Sequence, residues 1–257
     1  AEGYLNDGLC VMEPFSVRAI ELADVPTHGI VIDIASGPGT LSIPLASKVK
    51  KVHAVDFSEE MLNLLRKRAR QHNLNNIEIT HGDGQSLTCG DNIYDAGFSM
   101  FGLMFFPDRA KGFAELHRVV KPGGKAVVSS WAPVNESPLM TLLFGALNAA
   151  DPSVKPPPYL PDSLENPEKL KTEMSSAGFE NVRVEKHQVR LPPVTAESLW
   201  ESMHKSAAPL VLRRKRLGES EWEIQSDRCI KYLQEQFQDK TRALSTSAHL
   251  CMGTKPS

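Results

Sequence analysis

The 257-residue chain has no C-x-x-C pair, no continuous apolar stretch of membrane-spanning length and no mass of charge of one sign. Each absence removes a class of protein. Cys10, Cys89, Cys229 and Cys251 stand far apart, so neither a zinc ribbon nor a dithiol redox motif is indicated; no metal is expected, and reduced thiols in a cytoplasmic setting are the default. A spanning helix needs about 20 apolar residues in succession. No run comes near that, and no membrane span is expected. Lys and Arg number 29 against 31 Asp and Glu, scattered apart from the run Arg213-Arg214-Lys215-Arg216. A protein held on nucleic acid through phosphates would mass them, so no nucleic-acid partner is expected. The run itself reads as a solvated helix face or as a patch steering an anionic acceptor. The opening Ala1-Glu2-Gly3-Tyr4 has no signal-peptide character, although the missing initiator Met leaves room for a removed targeting segment.

What is present is a regular alternation of short apolar runs with longer amphipathic stretches, the pattern of strands and helices around a mainly parallel sheet. Strands are expected at 29–34, 51–55, 77–80, 94–99 and 124–131. Ser58 reads as the N-cap of a helix whose apolar face is Met61, Leu62, Leu64, Leu65 and Ala69, closed by His72-Asn73. A second helix fits 108–120 and stops at Lys121-Pro122-Gly123-Gly124, where proline forbids continuation and glycine supplies a turn. Beyond Trp131, the proline-rich stretch 151–159 is a surface loop. Residues 166–177 have helical spacing with Gly178 as C-cap, 181–191 reads as a long strand, 195–238 as a helical insertion with Leu199, Met203, Ala207 and Leu210 on one face, and 248–253 as a last strand.

The chemistry concentrates in the first half. Val31-Ile32-Asp33-Ile34-Ala35-Ser36-Gly37-Pro38-Gly39-Thr40 is a strand running into a small-residue turn that opens a helix. Gly37 and Gly39 permit positive φ or close approach of a ligand, and a helix N-terminus offers free N–H groups. The next strand delivers Asp56 about 20 residues after the turn, where an acid can bond a ribose diol. A dinucleotide fingerprint starting at Gly37 requires glycine at position 42, which is Ser42, and the match fails. A third strand ends in His81-Gly82-Asp83-Gly84-Gln85, where an acid can accept from an adenine amino group. Each acid also has an ordinary structural alternative: Asp33 as a packing or capping acid, Asp56 as a helix cap, Asp83 as a surface-turn acid.

In this order, the segments through Phe98-Ser99-Met100-Phe101-Gly102 and Val119-Val120-Lys121-Pro122-Gly123-Gly124 resemble the motifs of class I S-adenosylmethionine-dependent methyltransferases. They are most similar to the small-molecule branch related to quinone-pathway C-methyltransferases, and the likeness covers about residues 29–131. The resemblance implies a Rossmann-like α/β fold: a seven-stranded, mostly parallel sheet, helices on both faces and a helical insertion between the last two strands. It implies a single domain over 1–257, a cofactor-binding core at 29–131, and an insertion at 195–238 that serves as lid or substrate cap. Carried over by position, the stretch from Asp33 through Ala35, Ser36, Gly37 and Gly39 holds the methionine part of S-adenosyl-L-methionine. Asp56 takes the ribose hydroxyls, with Phe57 and Met61 beside the adenosine. Asp83 and Gly84 meet the adenine edge, and Ser99 stands beside the reacting methyl. The family usually has glycine where this chain has Ala35.

The implied reaction is an in-line displacement on a small-molecule acceptor, releasing S-adenosylhomocysteine, with the protein chiefly supplying geometry. No catalytic base is fixed; His204 and His81 qualify by residue type. Base- and glutamine-directed relatives place N-P-P-Y after the fourth strand, and this chain has Ser99-Met100-Phe101-Gly102 there. Trp131, Trp200, Met203 and His204 are candidates for lining an acceptor pocket, with core or dimer packing as the alternative. Two other classes stay open at this level. One is a non-catalytic nucleoside-binding protein on the same fold. The other is an NAD(P)-dependent oxidoreductase, against which stand the failed fingerprint and the lack of a Tyr-x-x-x-Lys pair.

Overall fold

The computed structural model describes residues 9–206, 208–238 and 240–257. Ala207 of the expected helix face and the first four residues therefore lie outside the described residues. The seven strands are β1 (Ile30–Ile34), β2 (Lys51–Asp56), β3 (Ile77–His81), β4 (Tyr94–Met100), β5 (Val120–Trp131), β6 (Glu180–Arg190) and β7 (Ser245–Thr254). They form one sheet in the order β3-β2-β1-β4-β5-β7-β6. Pairing is parallel from β3 through β5, and β7 runs antiparallel to β5. The seven-stranded, mostly parallel α/β sheet is thus the expected one. Buried parallel strands read as continuous apolar runs, and β1 buries all but its first residue.

The chain falls into two compact units. The sheet unit comprises residues 13–131, 160–187 and 248–257. It carries α2 (Ser42–Ala46), α3 (Glu59–Gln71), α4 (Arg109–Val119), α6 (Pro167–Ser176) and most of α1 (Leu9–Ala23). Ser58 accepts from the Met61 amide, Asp108 from that of Lys111 and Asn166 from that of Glu168. Each side chain thereby satisfies a donor that the first helical turn leaves open. On one face, Phe113 and Leu116 of α4 and Leu170 and Met174 of α6 pack with Ile32, Ala126 and Val128. A second cluster joins Ile43, Ala54, Leu65 and Ala69.

Among the described residues, the other unit comprises 9–12, 132–159 and 188–247. It holds α5 (Pro138–Ala150), α7 (Ala196–Ser206), α8 (Ala208–Leu217) and α9 (Glu219–Phe237). Its core is formed by Leu142, Ala146, Leu199, Trp200, Trp222 and Leu233 with their neighbours.

One local reading changes and two gain detail. The fifth strand starts at Val120, four residues early, because pairing jumps from Tyr94↔Val120 to Ala96↔Lys125 and residues 121–124 bulge out of the ladder. Gly123, at φ +78°, donates to the Lys255 carbonyl at 2.9 Å, so the expected turn is absorbed into the sheet edge. The helix after the glycine turn is only five residues long with Pro44 at its centre. The helical insertion is three helices, with Gly218 at φ +78° preceding the third.

Candidate functional site

The carboxyl ends of β1 to β5 lie along one sheet edge, and β1, flanked by β2 and β4, is where the strand order reverses. Ligands of open α/β sheets bind at such a point. The chain leaves β1 through Ala35, Gly37 and Gly39 at φ +57°, +54° and +82°. No heavy atom lies within 4 Å of where a Gly37 side chain would begin, whereas one on Gly39 would strike Leu65 of α3. Gly37 therefore borders open space and Gly39 is demanded by packing. The turn's amides are already engaged. Ser36 donates to Val55 O, Gly39 to Ser36 O, and Gly37 to Asp56 Oδ2 at 2.7 Å. The free N–H groups expected at the helix start are thus replaced by a turn tied to β2. Arg68 of α3 adds a clamp that sequence reasoning missed, donating to Pro38 O at 2.6 Å, with burial holding its pKa below the ordinary value.

Asp56 is the pivot of this arrangement. One carboxylate oxygen takes the Gly37 amide and the other takes the Ser58 amide at 2.8 Å, and each keeps a lone pair for a further donor. Phe57 beside it is 76% exposed, its carbonyl bonded to His81 Nε2 at 2.8 Å. Met61 is half-buried, and its amide joins the Ser58 cap. Asp83 is exposed and folds onto Gln85, whose side-chain oxygen accepts from the Asp108 amide. Gly84 is fixed by packing, since a side chain would strike Ile34 and Phe106. Asp33 is 1% exposed and takes the Ser42 hydroxyl at 2.6 Å. Its carboxyl is pushed up to about 7, chiefly by burial, with the Ser42 hydrogen bond opposing and the Asp56 charge adding to the rise.

Among the described residues of the sheet unit, two hydroxyls are buried without a hydrogen-bond partner, Ser36 Oγ in the turn and Ser99 Oγ near the end of β4. The strand ends that carry them touch: a side chain on Gly102 would meet Ala35 Cβ at 2.4 Å and Ser99 Oγ at 2.9 Å. Buried polar groups are normally paired, so these orphans, the open face of Gly37 and the spare lone pairs of Asp56 together fit a polar, hydroxyl-bearing ligand. Next along the edge, Phe101 takes φ +57° and donates its amide to Ser129 Oγ at 3.0 Å. Its ring stacks on Trp131 with centroids 4.1 Å apart.

The remaining candidates lie in the helical unit. Trp200 is 2% exposed in its core, stacked on Trp222, with its indole N–H donated to Ser226. His204 sits against both indoles and meets Glu201 at 3.0 Å through Nε2. Met203 packs against the same core. Of the basic run, Arg213 pairs with Asp151 and Gln225, and Arg214 with Glu219. The Cys229 and Cys251 thiols are each pushed up to about 12 by burial, which makes them poor nucleophiles.

A profile described as a methyltransferase domain matches residues 31–124. Demethylmenaquinone methyltransferase of Thermus thermophilus is 31% identical over 184 residues, covering 65% of this chain and 81% of that protein. The chain belongs to this methyltransferase family. The ubiquinone/menaquinone biosynthesis C-methyltransferase UbiE of Hydrogenovibrio crunogenus is likewise 31% identical, over 63% of this chain and 70% of that protein. Among solved structures, phosphoethanolamine N-methyltransferase 2 of Haemonchus contortus in complex with S-adenosyl-L-methionine matches with a TM-score of 0.59. Its identity is 18%, over 95% of this chain and 53% of that one, a likeness of fold. Family membership decides among the three readings left open by the sequence: the protein is an S-adenosylmethionine-dependent methyltransferase of the small-molecule class. Among the described residues, no helix is long and apolar enough to cross a membrane.

Proposed function

We propose that the acceptor is a small hydroxylated aromatic ring of the quinol type, methylated on carbon, and that the sheet edge around the glycine turn is the cofactor site. The acceptor class is supported by the two quinone-pathway relatives and by the stacked Phe101–Trp131 wall beside Ser99. The cofactor site rests on one observation above all, the unpartnered Ser36 and Ser99 hydroxyls on touching strand ends. Asp56 holds the ribose hydroxyls with its spare lone pairs. Phe57 and Met61 flank the adenosine, Asp83 and Gly84 border the adenine, and Asp33, Ala35, Ser36, Gly37 and Gly39 shape the methionine end. When bound, the cofactor supplies an electrophilic methyl on a sulfonium. The chain's part is to hold ring and methyl in line and to exclude water, which is worth roughly 7–11 kcal/mol of barrier. The segment 195–238 serves as a cap of the single methyltransferase domain, and the free thiols of Cys89, Cys229 and Cys251 suit a reducing cytoplasmic setting.

Calorimetric titration with S-adenosylhomocysteine beside NADH tests the cofactor assignment, with binding of the former alone expected. Transfer of labelled methyl is then compared across 1,4-naphthohydroquinone, catechol and phosphoethanolamine. Label appearing on the naphthohydroquinone ring supports the acceptor reading, and label only on the amine overturns it.

A further inference from the structure

Four rings meet where β4 and β5 end. Phe15 of α1 is their centre, edge-on to Phe101 at 5.6 Å, to Trp131 at 5.9 Å and to His187 of β6 at 5.7 Å between centroids. Phe15 and Phe101 are buried, whereas Trp131 and His187 each keep part of their surface open. The part of the cluster left open thus belongs to an indole and an imidazole, one apolar ring and one proton acceptor, both packed on Phe15.

The imidazole is held in a defined setting. Glu185, two residues back on the same strand and so on the same sheet face, accepts from Arg18 Nε and Nη2 at 2.8 Å each. Its Oε1 stands 3.8 Å from His187 Nδ1. That is too long for a hydrogen bond, and a neutral imidazole that carries its proton on the nitrogen facing this carboxylate presents Nε2 as an acceptor. The carboxylate facing the ring is Glu185, and the charges acting on that carboxylate in turn are Arg18, which also pairs with Glu21, and Arg183. The two histidines singled out by residue type are engaged elsewhere, His81 on the Phe57 carbonyl and His204 on Glu201.

We infer that His187 is the base of the reaction: Nε2 takes the hydroxyl proton of an aromatic ring resting on Trp131. This assignment rests on the quinol-type acceptor proposed above. A ring hydroxyl of phenolic type titrates near 10, so in neutral solution the ring is un-ionised and a weak carbon nucleophile. Transfer of the proton to Nε2 breaks the O–H bond and leaves its electron pair on oxygen, delocalised onto the adjacent ring carbon. The methylated carbon still bears its hydrogen; loss of that proton to water, and return of the imidazole's proton to the ring oxygen, restore the aromatic hydroxyl and the free imidazole, so that one proton is released in all.

The test uses full-length wild-type protein, His187→Ala and His187→Gln. Both variants are expected to bind S-adenosylhomocysteine within about twofold of wild type, which establishes that the sheet edge is folded. In the anaerobic complex with S-adenosylhomocysteine and 1,4-naphthohydroquinone, wild type should show the absorption band of the ionised ring. Both variants should lose it, and added imidazole should restore it in His187→Ala. Single-turnover methyl transfer to the same probe should fall about 100-fold in the variants, with KM for the probe little changed. An ionised band persisting in His187→Ala, or transfer within about threefold of wild type, overturns the assignment. If wild type itself binds S-adenosylhomocysteine but neither ionises nor methylates the probe, the acceptor reading fails and this inference falls with it.

Discussion

The sheet unit and the helical unit use left-handed backbone in different ways. Among the described residues of 132–159 and 188–247, positive φ occurs at Gly218 and Gln238, both at helix ends, where a left-handed residue commonly terminates a helix. In the sheet unit, Asp24, Asn73 and Gly178 end helices in the same way, and Asn92 and Asn181 are of a type that tolerates the conformation. Ala35 and Phe101 are neither. They follow the ends of β1 and β4, beside the unpartnered hydroxyls of Ser36 and Ser99. Strain that packing must enforce gathers at working sites. The helical unit, by contrast, draws its order from an apolar core around two stacked indoles.

The comparison is broken most forcefully in the helical core. Trp200→Ala should cost about 3–5 kcal/mol of stability, read by chemical denaturation, because it empties a core site and strips Ser226 of its donor. A loss under about 1 kcal/mol would mean that the indole is not the core element described. Asp56→Ala should act in the opposite sense, on binding more than on folding. Loss of a doubly engaged carboxylate should weaken S-adenosylhomocysteine by about 1–3 kcal/mol, and unchanged affinity in a folded variant would remove Asp56 from the site. Asp33 gives the pH signature. Its folded pKa of about 7 lies above the ordinary value of 3.8, so between those values the folded state holds a proton that the unfolded state has released. Stability should therefore fall as pH rises through that window. Asp33→Asn keeps an acceptor for Ser42 and should flatten that slope, gaining on the order of 2 kcal/mol above neutrality. An unchanged pH slope in denaturation midpoints would contradict the burial argument.

How much of this was legible depended on whether a residue's role was local. The strands of the first half and α3 could be read because buried parallel strands are unbroken apolar runs and Ser58 is a cap within one turn of its helix. Asp56 could be read because the turn-to-acid spacing is itself a local property of a βαβ unit. The helix α1 was missed, since Pro14 lies inside it. So was α5, whose residues are apolar on too many sides to show a period. Trp131 stands out as an aromatic closing a strand, while Phe15, Arg68 and His187 carry no signal at all. Arg68 acts on Pro38 across 30 positions, and His187 meets Phe15 from the far end of the chain. Contacts of that range leave no periodicity or motif to read.

The finest division between the two regions can be probed at Ala35. If its left-handed conformation is enforced by the surrounding sheet, Ala35→Gly should relieve it. The substituted residue would pay the usual entropy of glycine in the unfolded chain, but a non-glycine residue held at positive φ costs roughly 1–2 kcal/mol in the folded one. The lost methyl also faces Gly102 at close range, so part of the relief is returned as packing. A net gain of about 0.5 kcal/mol in denaturation free energy is expected, with S-adenosylhomocysteine affinity unchanged or slightly weaker as the turn loosens. Gln238→Gly, at a helix end in the other unit, should gain stability with no effect on that affinity. Equal behaviour of the two variants in both assays would show that Ala35 is an ordinary terminator and that the strain at the sheet edge has no bearing on the cofactor.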